Sequence, residues 1–249
     1  MKTLRSLQII DYLRDRKHCS IRDLEDYFKV SPATIYRNIE ELTQKNLLQK
    51  VRGGVALSGA PVAELEAGVP TSHFLTRINR NSEKKQKIAK LALQKISDGS
   101  IIFLDSSTTS LYLARLLQKA DLSNLTIITN SVLIMQEFYL FPSHFILLSL
   151  GGNFTAHLNS FLGKTSFDNL TQLKIDKVFF SAVGINAGKA TTFHEEHAEF
   201  LRRVLAMAEQ SYLLLDSTKF GKSGIFAICQ LDAVGTILSD KKVPKSVFE

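Results

Sequence analysis

The sequence predicts an α/β protein with two domains, a winged helix-turn-helix at residues 1–57 and an α/β domain with a mainly parallel sheet at residues 74–249. Three observations support this. A capped helix with a mixed polar face lies near the N-terminus, short apolar runs alternate with helical stretches after residue 100, and a stretch containing Gly and Pro separates the two patterns. Residues 58–73 are the expected linker.

The N-terminal pattern begins with two short helices. The first is predicted by apolar residues at three-residue spacing: Leu4, Leu7, Ile10 and Leu13. Ser20 and Asp23 then form a capping-box pattern, in which each side chain satisfies a backbone N–H of the first turn. This pattern predicts a second helix that carries Leu24 and Phe28 on its buried side.

A third helix is predicted to start after Ser31. Ser31 is a suitable N-cap, expected to accept from first-turn amides, and Pro32 suits the first helical position because its missing N–H has no partner there. One buried stripe is expected from the spacing of Ile35, Ile39 and Leu42. The other face then carries small, hydroxyl, aromatic and guanidinium groups, a mixture suited to reading base edges in the major groove of DNA.

Residues 47–57, with Gly53 and Gly54, are typical of a two-stranded wing after such a helix. We therefore expect contacts with double-stranded DNA from the helix and the wing. The candidate residues are Ser31, Ala33, Thr34, Tyr36, Arg37, Lys50 and Arg52. The alternative interpretation is a small helical bundle whose charged face is simply solvated.

The distribution of charge agrees with a polyanionic partner. The formal net charge is +7, and residues 1–60 carry 11 Lys and Arg against 7 Asp and Glu, whereas residues 91–249 carry 14 of each. The excess positive charge therefore lies in the first 90 residues, where it would attract DNA without specifying its sequence. The alternative is that it only favours solubility.

Cysteine content and hydropathy exclude several classes. Cys19 and Cys229 lie in different predicted domains, so neither a disulfide framework nor a cysteine zinc site is expected. The charged N-terminus lacks an apolar signal core, and no apolar run is long enough to cross a membrane. We therefore expect a cytoplasmic protein with no membrane partner, no metal and no cofactor.

In the second domain, a sheet is predicted from apolar runs at 101–104, 126–129, 145–150, 178–181, 212–215, 225–228 and 236–239. A helix capped by Ser82 and extending to about residue 97 precedes them, and another is expected to begin near Ser110. Open α/β sheets bind ligands beyond the carboxyl ends of their strands, where hydroxyls and helix-start amides suit phosphate. The candidate ligand-binding residues are Asp105, Ser106, Ser107, Thr108, Thr109, Asn130, Gly151, Gly152, Gly184 and Lys219. Each of these short motifs is also compatible with an ordinary helix cap, and Lys219 with a solvated surface residue.

His194 and His197 flank two glutamates and could be taken for metal ligands. Their spacing of three differs from the spacing of four in the helical zinc motif. The acidic pair is better explained as the first turn of a helix running to about residue 208, where negative charge is favourable.

Over nearly its full length the chain resembles the DeoR family of bacterial regulators of sugar metabolism. The resembling segments, in order, are 31–39, 51–54, 74–77 with Asn81 and Lys84, 104–109, 129–131, 151–152, Asp176 with Phe179, and 216–220. The resemblance implies a C-terminal sensor domain similar to ribose-5-phosphate isomerase and the coenzyme A transferases, a phosphorylated sugar as effector, and an oligomeric repressor.

Two classes of function remain open from the sequence. The first is a transcriptional regulator, most simply a repressor of a carbohydrate-utilisation operon, with an activator as a variant, whose operator affinity changes when a sugar phosphate binds. It is not an enzyme, and it would act as a homo-oligomer, a dimer or tetramer, since one winged helix reads one half-site. The second is a sugar-phosphate isomerase with an appended DNA-binding domain, in which Asp105, Asp176 or Asp216 would serve as the base.

Overall fold

The computed structural model describes residues 5–6, 8–10, 12–13, 18–44, 47–51, 54–58 and 72–248. The chain divides into two compact units, residues 1–77 (the N-terminal unit) and 78–249 (the C-terminal unit). The linker expected at residues 58–73 falls mostly outside the described residues, as do Arg52 and Gly53 of the expected wing.

The helix-turn-helix predicted for the N-terminal unit is confirmed. Residues 5–6, 8–10 and 12–13 are helical (α1), followed by α2 (Ile21–Phe28) and α3 (Pro32–Gln44). The Ser20 and Asp23 capping box is present, with Asp23 N–H donating to Ser20 Oγ at 3.2 Å and Ser20 N–H donating to Asp23 Oδ2 at 2.8 Å. The core of this unit contains Ile9, Ile10, Leu13, Cys19, Leu24, Ile35, Ile39, Leu42, Leu48 and Val55.

The wing is antiparallel, and it has a third strand that the sequence did not predict. Strands β2 (Leu48–Val51) and β3 (Gly54–Leu57) pair with each other, and β1 (His18–Cys19) pairs with β3 on its other side. A side chain at Gly54 would collide with the backbone carbonyl of Cys19, so glycine is required there for the close approach of β1.

The C-terminal unit contains a six-stranded sheet in the order β14-β12-β9-β4-β5-β6, and every neighbouring pair is parallel. The strands are β4 (Ile101–Leu104), β5 (Thr126–Thr129), β6 (Ile146–Ser149), β9 (Ile175–Phe180), β12 (Ala208–Leu214) and β14 (Thr236–Leu238). Central strands are buried on both faces, which explains why β4 has a continuous apolar sequence rather than an alternating one.

Two smaller antiparallel sheets accompany it. One has the order β10-β11-β13, with β10 (Gly184–Asn186), β11 (Lys189–Thr192) and β13 (Phe226–Gln230), and the other pairs β7 (Asn153–Thr155) with β8 (Ser160–Leu162). The assignment of residues 225–228 to the parallel sheet was therefore wrong. An apolar run indicates a buried strand but does not identify its partners, and β13 pairs with a hairpin strand that the sequence did not reveal.

The helices are α4 (Ser72–Asn79), α5 (Ser82–Leu93), α6 (Thr108–Leu117), α7 (Val132–Glu137), α8 (Lys164–Leu170) and α9 (Glu195–Met207). Two predicted starts need correction. Asn81, with a left-handed φ of 57°, is the N-cap of α5 in place of Ser82, and α6 begins at Thr108 rather than near Ser110.

Within the described ranges, none of the helices is both long and apolar enough to span a bilayer. Among the described residues, neither Cys19 nor Cys229 takes part in a disulfide. Burial raises the pKa of the Cys229 thiol to about 11, so this sulfur stays protonated and unreactive at neutral pH.

Candidate nucleic-acid interface and anion site

The outward face of α3 carries the side chains that the sequence predicts to contact DNA. Ser31, Ala33, Tyr36 and Arg37 are exposed, and Tyr36 keeps 56% of its surface accessible although it is a large aromatic residue. Thr34 is half-buried between them. The stripe formed by Ile35, Ile39 and Leu42 is buried on the opposite side, so packing fixes the direction in which Tyr36 and Arg37 point.

The first turn of α3 is held differently from the expectation for Ser31. Its backbone carbonyl accepts from the N–H groups of Thr34 at 2.9 Å and Ile35 at 3.2 Å, while its hydroxyl shares a 2.9 Å hydrogen bond with the Thr34 hydroxyl. The side chain thus pairs with another side chain. Both hydroxyls lie on the turn that would enter a groove, where they can exchange this bond for one to DNA.

On the wing, Lys50 is exposed on β2, as expected for a phosphate contact. Arg52, the other basic candidate, lies outside the described residues. The structure therefore places one of the two predicted wing cations on an exposed strand.

Asn38 belongs to the packing between helices, although it neighbours Arg37. Its side chain is only 4% exposed; Oδ1 accepts from the Ser6 hydroxyl at 3.2 Å, and Nδ2 donates to the Thr34 carbonyl at 2.6 Å. Asn38 therefore connects α1 to α3 and holds the candidate DNA-binding helix in place. Sequence reasoning did not identify this role, because the partner Ser6 is 32 residues away.

We expect Asn38→Ala to lower the free energy of unfolding of the N-terminal unit by about 1–3 kcal/mol, since it removes two buried hydrogen bonds. Hydrogen exchange of the α3 amides measures this opening locally. Glu40→Ala, at an exposed position on the same helix, is the matched control and should leave the exchange rates unchanged. Equal rates in both variants would show that the Asn38 bonds contribute nothing.

In the C-terminal unit, parallel pairing gathers the candidate residues at one edge of the sheet. Asp105, Asn130 and Ser181 follow β4, β5 and β9 at or just beyond the strand ends, and Leu104 is in register with both Thr129 and Phe179. The same edge receives the segments that follow two further strands, 151–152 after β6 and 216–219 after β12. Parallel pairing therefore brings these segments to the same edge of the sheet.

Asp105 is the hub of this edge. Its carboxylate is fully buried, and Oδ1 accepts from the Ser107 N–H at 3.1 Å and the Ser110 hydroxyl at 2.5 Å. Oδ2 accepts from the Ser181 N–H at 2.9 Å. Both oxygens are thus engaged by the protein, and the carboxylate ties the loop after β4 to the end of β9.

The start of α6 presents backbone donors. Ser107 is the N-cap, and its hydroxyl accepts from the Ser110 N–H at 3.1 Å. The N–H groups of Ser106, Thr108 and Thr109 bond to no acceptor in the part of the chain that the structure describes. Three donors at the positive end of a ten-residue helix form a suitable cradle for an anion.

Lys219 reaches the same edge from the short 3-10 helix Ser217–Lys219. Its Nζ donates to the Ala182 carbonyl at 2.8 Å and lies 3.4 Å from the Ser181 hydroxyl. Because the Ser181 N–H is bound to Asp105, two hydrogen bonds connect the ammonium group to the loop before α6. A positive charge is therefore fixed at the strand ends rather than extended into solvent.

Asn130 carries an unsatisfied acceptor. The side chain is fully buried, and its Nδ2 donates to the Ser160 hydroxyl at 2.7 Å and the Phe161 carbonyl at 3.3 Å. Its Oδ1 has no hydrogen-bond partner among the described residues. A buried acceptor without a partner costs about 1–3 kcal/mol, which favours a ligand donor at this position.

The three candidate glycines differ in role. A side chain at Gly152 would collide with Ser166 and the Leu162 carbonyl, and one at Gly184 would collide with the Lys222 backbone. These two are required for packing of the chain itself. Gly151 has a φ of +59° and open space where a side chain would lie, so it remains available for the approach of a ligand.

A second cluster supports the segment 216–219. Lys84 Nζ donates to the Ser217 hydroxyl at 3.0 Å and lies 3.8 Å from Asp240 Oδ2, which itself accepts from that hydroxyl at 2.9 Å. Asp240 Oδ1 accepts from the Ser217 N–H at 2.6 Å. Burial raises the pKa of Asp240, but the bonds from Ser217 and the charge of Lys84 outweigh it, so the pKa lies below its usual value. Lys84 lies in one of the segments that resemble the DeoR family, but the sequence alone did not indicate this contact.

We expect Asp240→Asn to destabilise the C-terminal unit by about 1–2 kcal/mol at pH 7, because it removes charged hydrogen bonds. An aspartate with a lowered folded-state pKa contributes stability above the unfolded pKa of about 4 and loses it as the pH falls through the folded value. The difference from wild type should therefore shrink at pH 3. Urea unfolding at both pH values measures it, with the exposed Asp232→Asn as control. A penalty that is the same at both pH values would contradict the assigned charge.

The histidine pair does not form a metal site in the described part of the chain, where no group of three His, Cys, Asp or Glu is arranged to hold a metal. His194 is the N-cap of α9, and its ring lies 4.7 Å from the ring of His157. Glu195 and Glu196 occupy the first turn of α9, as expected.

Two family models match the chain, the DeoR-like helix-turn-helix domain over residues 5–59 and the DeoR C terminal sensor domain over residues 80–241. A lactose phosphotransferase system repressor of Staphylococcus epidermidis is 31% identical, with 94% of this chain and 90% of that protein covered. An L-fucose operon activator of Haemophilus influenzae is 29% identical over 96% and 92%. A ribose 5-phosphate isomerase structure from Methanocaldococcus jannaschii is similar over 56% of this chain and 55% of that one, with 19% identity and a TM-score of 0.41. The chain belongs to the DeoR family of transcriptional regulators.

Proposed function

We propose that this protein represses a carbohydrate-utilisation operon and that a phosphorylated sugar, bound at the carboxyl ends of the strands in the C-terminal unit, lowers its affinity for the operator. The observation that carries the proposal is the set of free N–H groups at the start of α6, beside the fixed Lys219, in a chain that also presents Tyr36 and Arg37 outward from α3.

The DNA half of the proposal assigns roles by group chemistry. The guanidinium of Arg37 is suited to guanine in the major groove, since it can donate two bonds to O6 and N7. Tyr36, Ala33 and the two hydroxyls of the first turn would contact neighbouring base edges or phosphates. Lys50 and Arg52 on the wing would neutralise backbone phosphates, which makes binding sensitive to salt.

The sensor half assigns the phosphate to the start of α6. The N–H groups of Ser106, Thr108 and Thr109 would donate to phosphate oxygens, with Lys219 supplying a positive charge. Asn130 Oδ1 would accept from a sugar hydroxyl, which would satisfy its missing hydrogen bond. Asp105, with both oxygens occupied by the protein, would orient the loop instead of contacting the sugar.

Coupling between the units follows thermodynamic linkage. A sugar phosphate can lower operator affinity only by the factor with which it prefers the state that does not bind DNA. One relative is named a repressor and another an activator. The effect on transcription would then depend on where the operator lies relative to the promoter.

Three placements support a sensor without isomerase activity. Asp105 is held by three hydrogen bonds, and Asp216 Oδ1 accepts from the Thr218 N–H at 3.0 Å and from its hydroxyl. Asp176 accepts from the Ile101 N–H at 2.8 Å, at the amino end of β4. It therefore lies at the opposite ends of the strands from the α6 cradle. Asp105 and Asp176 are therefore not available as a general base beside the α6 cradle, and Asp216 has one of its two carboxylate oxygens engaged by Thr218.

Calorimetry of the purified full-length chain tests the sensor half without DNA. The panel contains sugar phosphates and the same sugars without phosphate. We expect binding only by the phosphorylated sugars. The same protein should not convert ribose 5-phosphate or related aldose phosphates. Equal binding of both groups of sugars would exclude the phosphate cradle, and measurable turnover would favour the isomerase alternative.

A further inference from the structure

One segment of the C-terminal unit is devoid of charge. Residues 138–163 contain no Asp, Glu, Lys or Arg, in a chain in which 22% of residues are charged. This segment includes β6, the last strand at one edge of the six-stranded sheet. A long uncharged stretch is expected in a buried core, but here much of it lies at the surface.

Several large apolar side chains of this segment are exposed. Ile146 and Leu148 alternate along β6 and are therefore on the same face of the sheet, with 56% and 36% of their surfaces accessible. In the short 3-10 helix Phe138–Leu140, which precedes the strand along the chain, Tyr139 is 81% and Leu140 50% exposed. Exposed large apolar side chains concentrated in this way mark an interaction site more often than a solvated one.

The backbone of β6 also has an unused side. The N–H groups of Ile146 and Leu150 donate toward β5, to the carbonyls of Leu125 and Thr129. In a parallel pair, alternate residues point their polar groups to opposite sides. The N–H and C=O groups of Leu147 and Ser149 therefore point away from β5, and no described strand pairs with them.

The other lateral edge of the sheet differs. Strand β14 (Thr236–Leu238) is itself uncharged, but the chain that continues from it carries Lys241 and Lys242, which are both exposed. Charges close to an edge strand discourage pairing with other chains. Along the chain, the charged residues nearest to β6 are Glu137 and Lys164.

We propose that β6 pairs in antiparallel fashion with β6 of a second copy of this chain, about a two-fold axis near Leu147, and that this joins two six-stranded sheets. We infer a second copy as the partner because this surface is compatible with itself. A two-fold contact brings each patch against itself, so any formal charge would meet its own like charge, and this segment has none. In that register Ile146 lies beside Leu148 of the other copy on the same face, so the exposed side chains contact each other across the new strand pair.

Two double variants of the full-length chain test this surface, Ile146→Lys with Leu148→Lys, and Ile146→Glu with Leu148→Glu. Each places four like charges around the two-fold axis, and the molar mass in sedimentation equilibrium should fall by half. Mixed in equal amounts, the Lys and Glu variants should associate again, because opposite charges now meet. A misfolded protein would not recover in this way.

Ile225→Lys is the control, since this residue is 76% exposed and lies outside the uncharged segment. Its mass should equal that of wild type. The proposal is overturned if wild type is monomeric at tens of micromolar, which would assign the face to a different protein. It is also overturned if the variants keep the wild-type mass, or if the mixture stays dissociated while circular dichroism shows a folded chain. No DNA or sugar is present, so these outcomes are independent of the proposed regulatory function.

Discussion

Arg37→Ala is expected to weaken binding to the specific operator roughly 5- to 150-fold, which corresponds to the loss of about 1–3 kcal/mol for a bidentate contact with guanine. The side chain is exposed on the outward face of α3, and the buried stripe beneath it is untouched by the change. The variant should therefore fold normally. Fluorescence anisotropy with an operator selected from a random DNA pool measures the loss, together with the change on unrelated DNA.

Lys50→Ala is the matched control for a phosphate contact. It should weaken operator and random DNA alike and should reduce the slope of log affinity against log salt by about one. Arg37→Ala, in contrast, should leave affinity for random DNA nearly unchanged. Equal losses on both kinds of DNA for Arg37→Ala would show that this residue contacts phosphate and does not read sequence.

Thr108→Asp is expected to lower affinity for the sugar phosphate at least about 100-fold, because it places a carboxylate where the free N–H groups would hold the phosphate. These same donors would stabilise the new carboxylate, but Thr108 is only 7% exposed and the charge is also partly desolvated, so thermal unfolding of the unliganded variant is measured alongside. Calorimetry with the sugar phosphate that binds wild type measures the loss. Operator binding in the absence of sugar should persist.

Ser97→Asp provides the comparison, since Ser97 is exposed and precedes β4, at the amino ends of the strands and therefore away from the strand-end cluster. It introduces the same charge and should leave sugar affinity unchanged. If Thr108→Asp bound the sugar phosphate as tightly as Ser97→Asp, the phosphate would have to be held elsewhere, and the role assigned to α6 would be wrong.

Local patterns predicted much of the fold. The capping box at Ser20 and Asp23, the start of α3 at Pro32 and the buried positions of Ile35 and Ile39 all follow from interactions within a few residues of the chain. The placement of residues that follow the strands is likewise accessible from the sequence, because parallel strands bring their carboxyl ends to one edge of the sheet.

Features that depend on distant partners could not be predicted in this way. Strand β1 is two residues long and is defined by its pairing with β3. The bond between Asn38 and Ser6 spans 32 residues, and the bond between Asn130 and Ser160 spans 30. The spacing of apolar and polar residues along the sequence does not indicate such contacts. Asn130 illustrates the consequence, since its type and position suggested a ligand contact, but only the structure shows which of its atoms lacks a partner.

Operator binding by the full-length chain, titrated with a phosphorylated sugar and separately with the same sugar lacking its phosphate, decides whether the two units act as one regulator. We expect the phosphorylated form alone to weaken the protein–operator complex, and Thr108→Asp to abolish that response. An operator affinity that stays constant across a broad panel of sugar phosphates, with a protein that binds DNA normally, would contradict the proposed function.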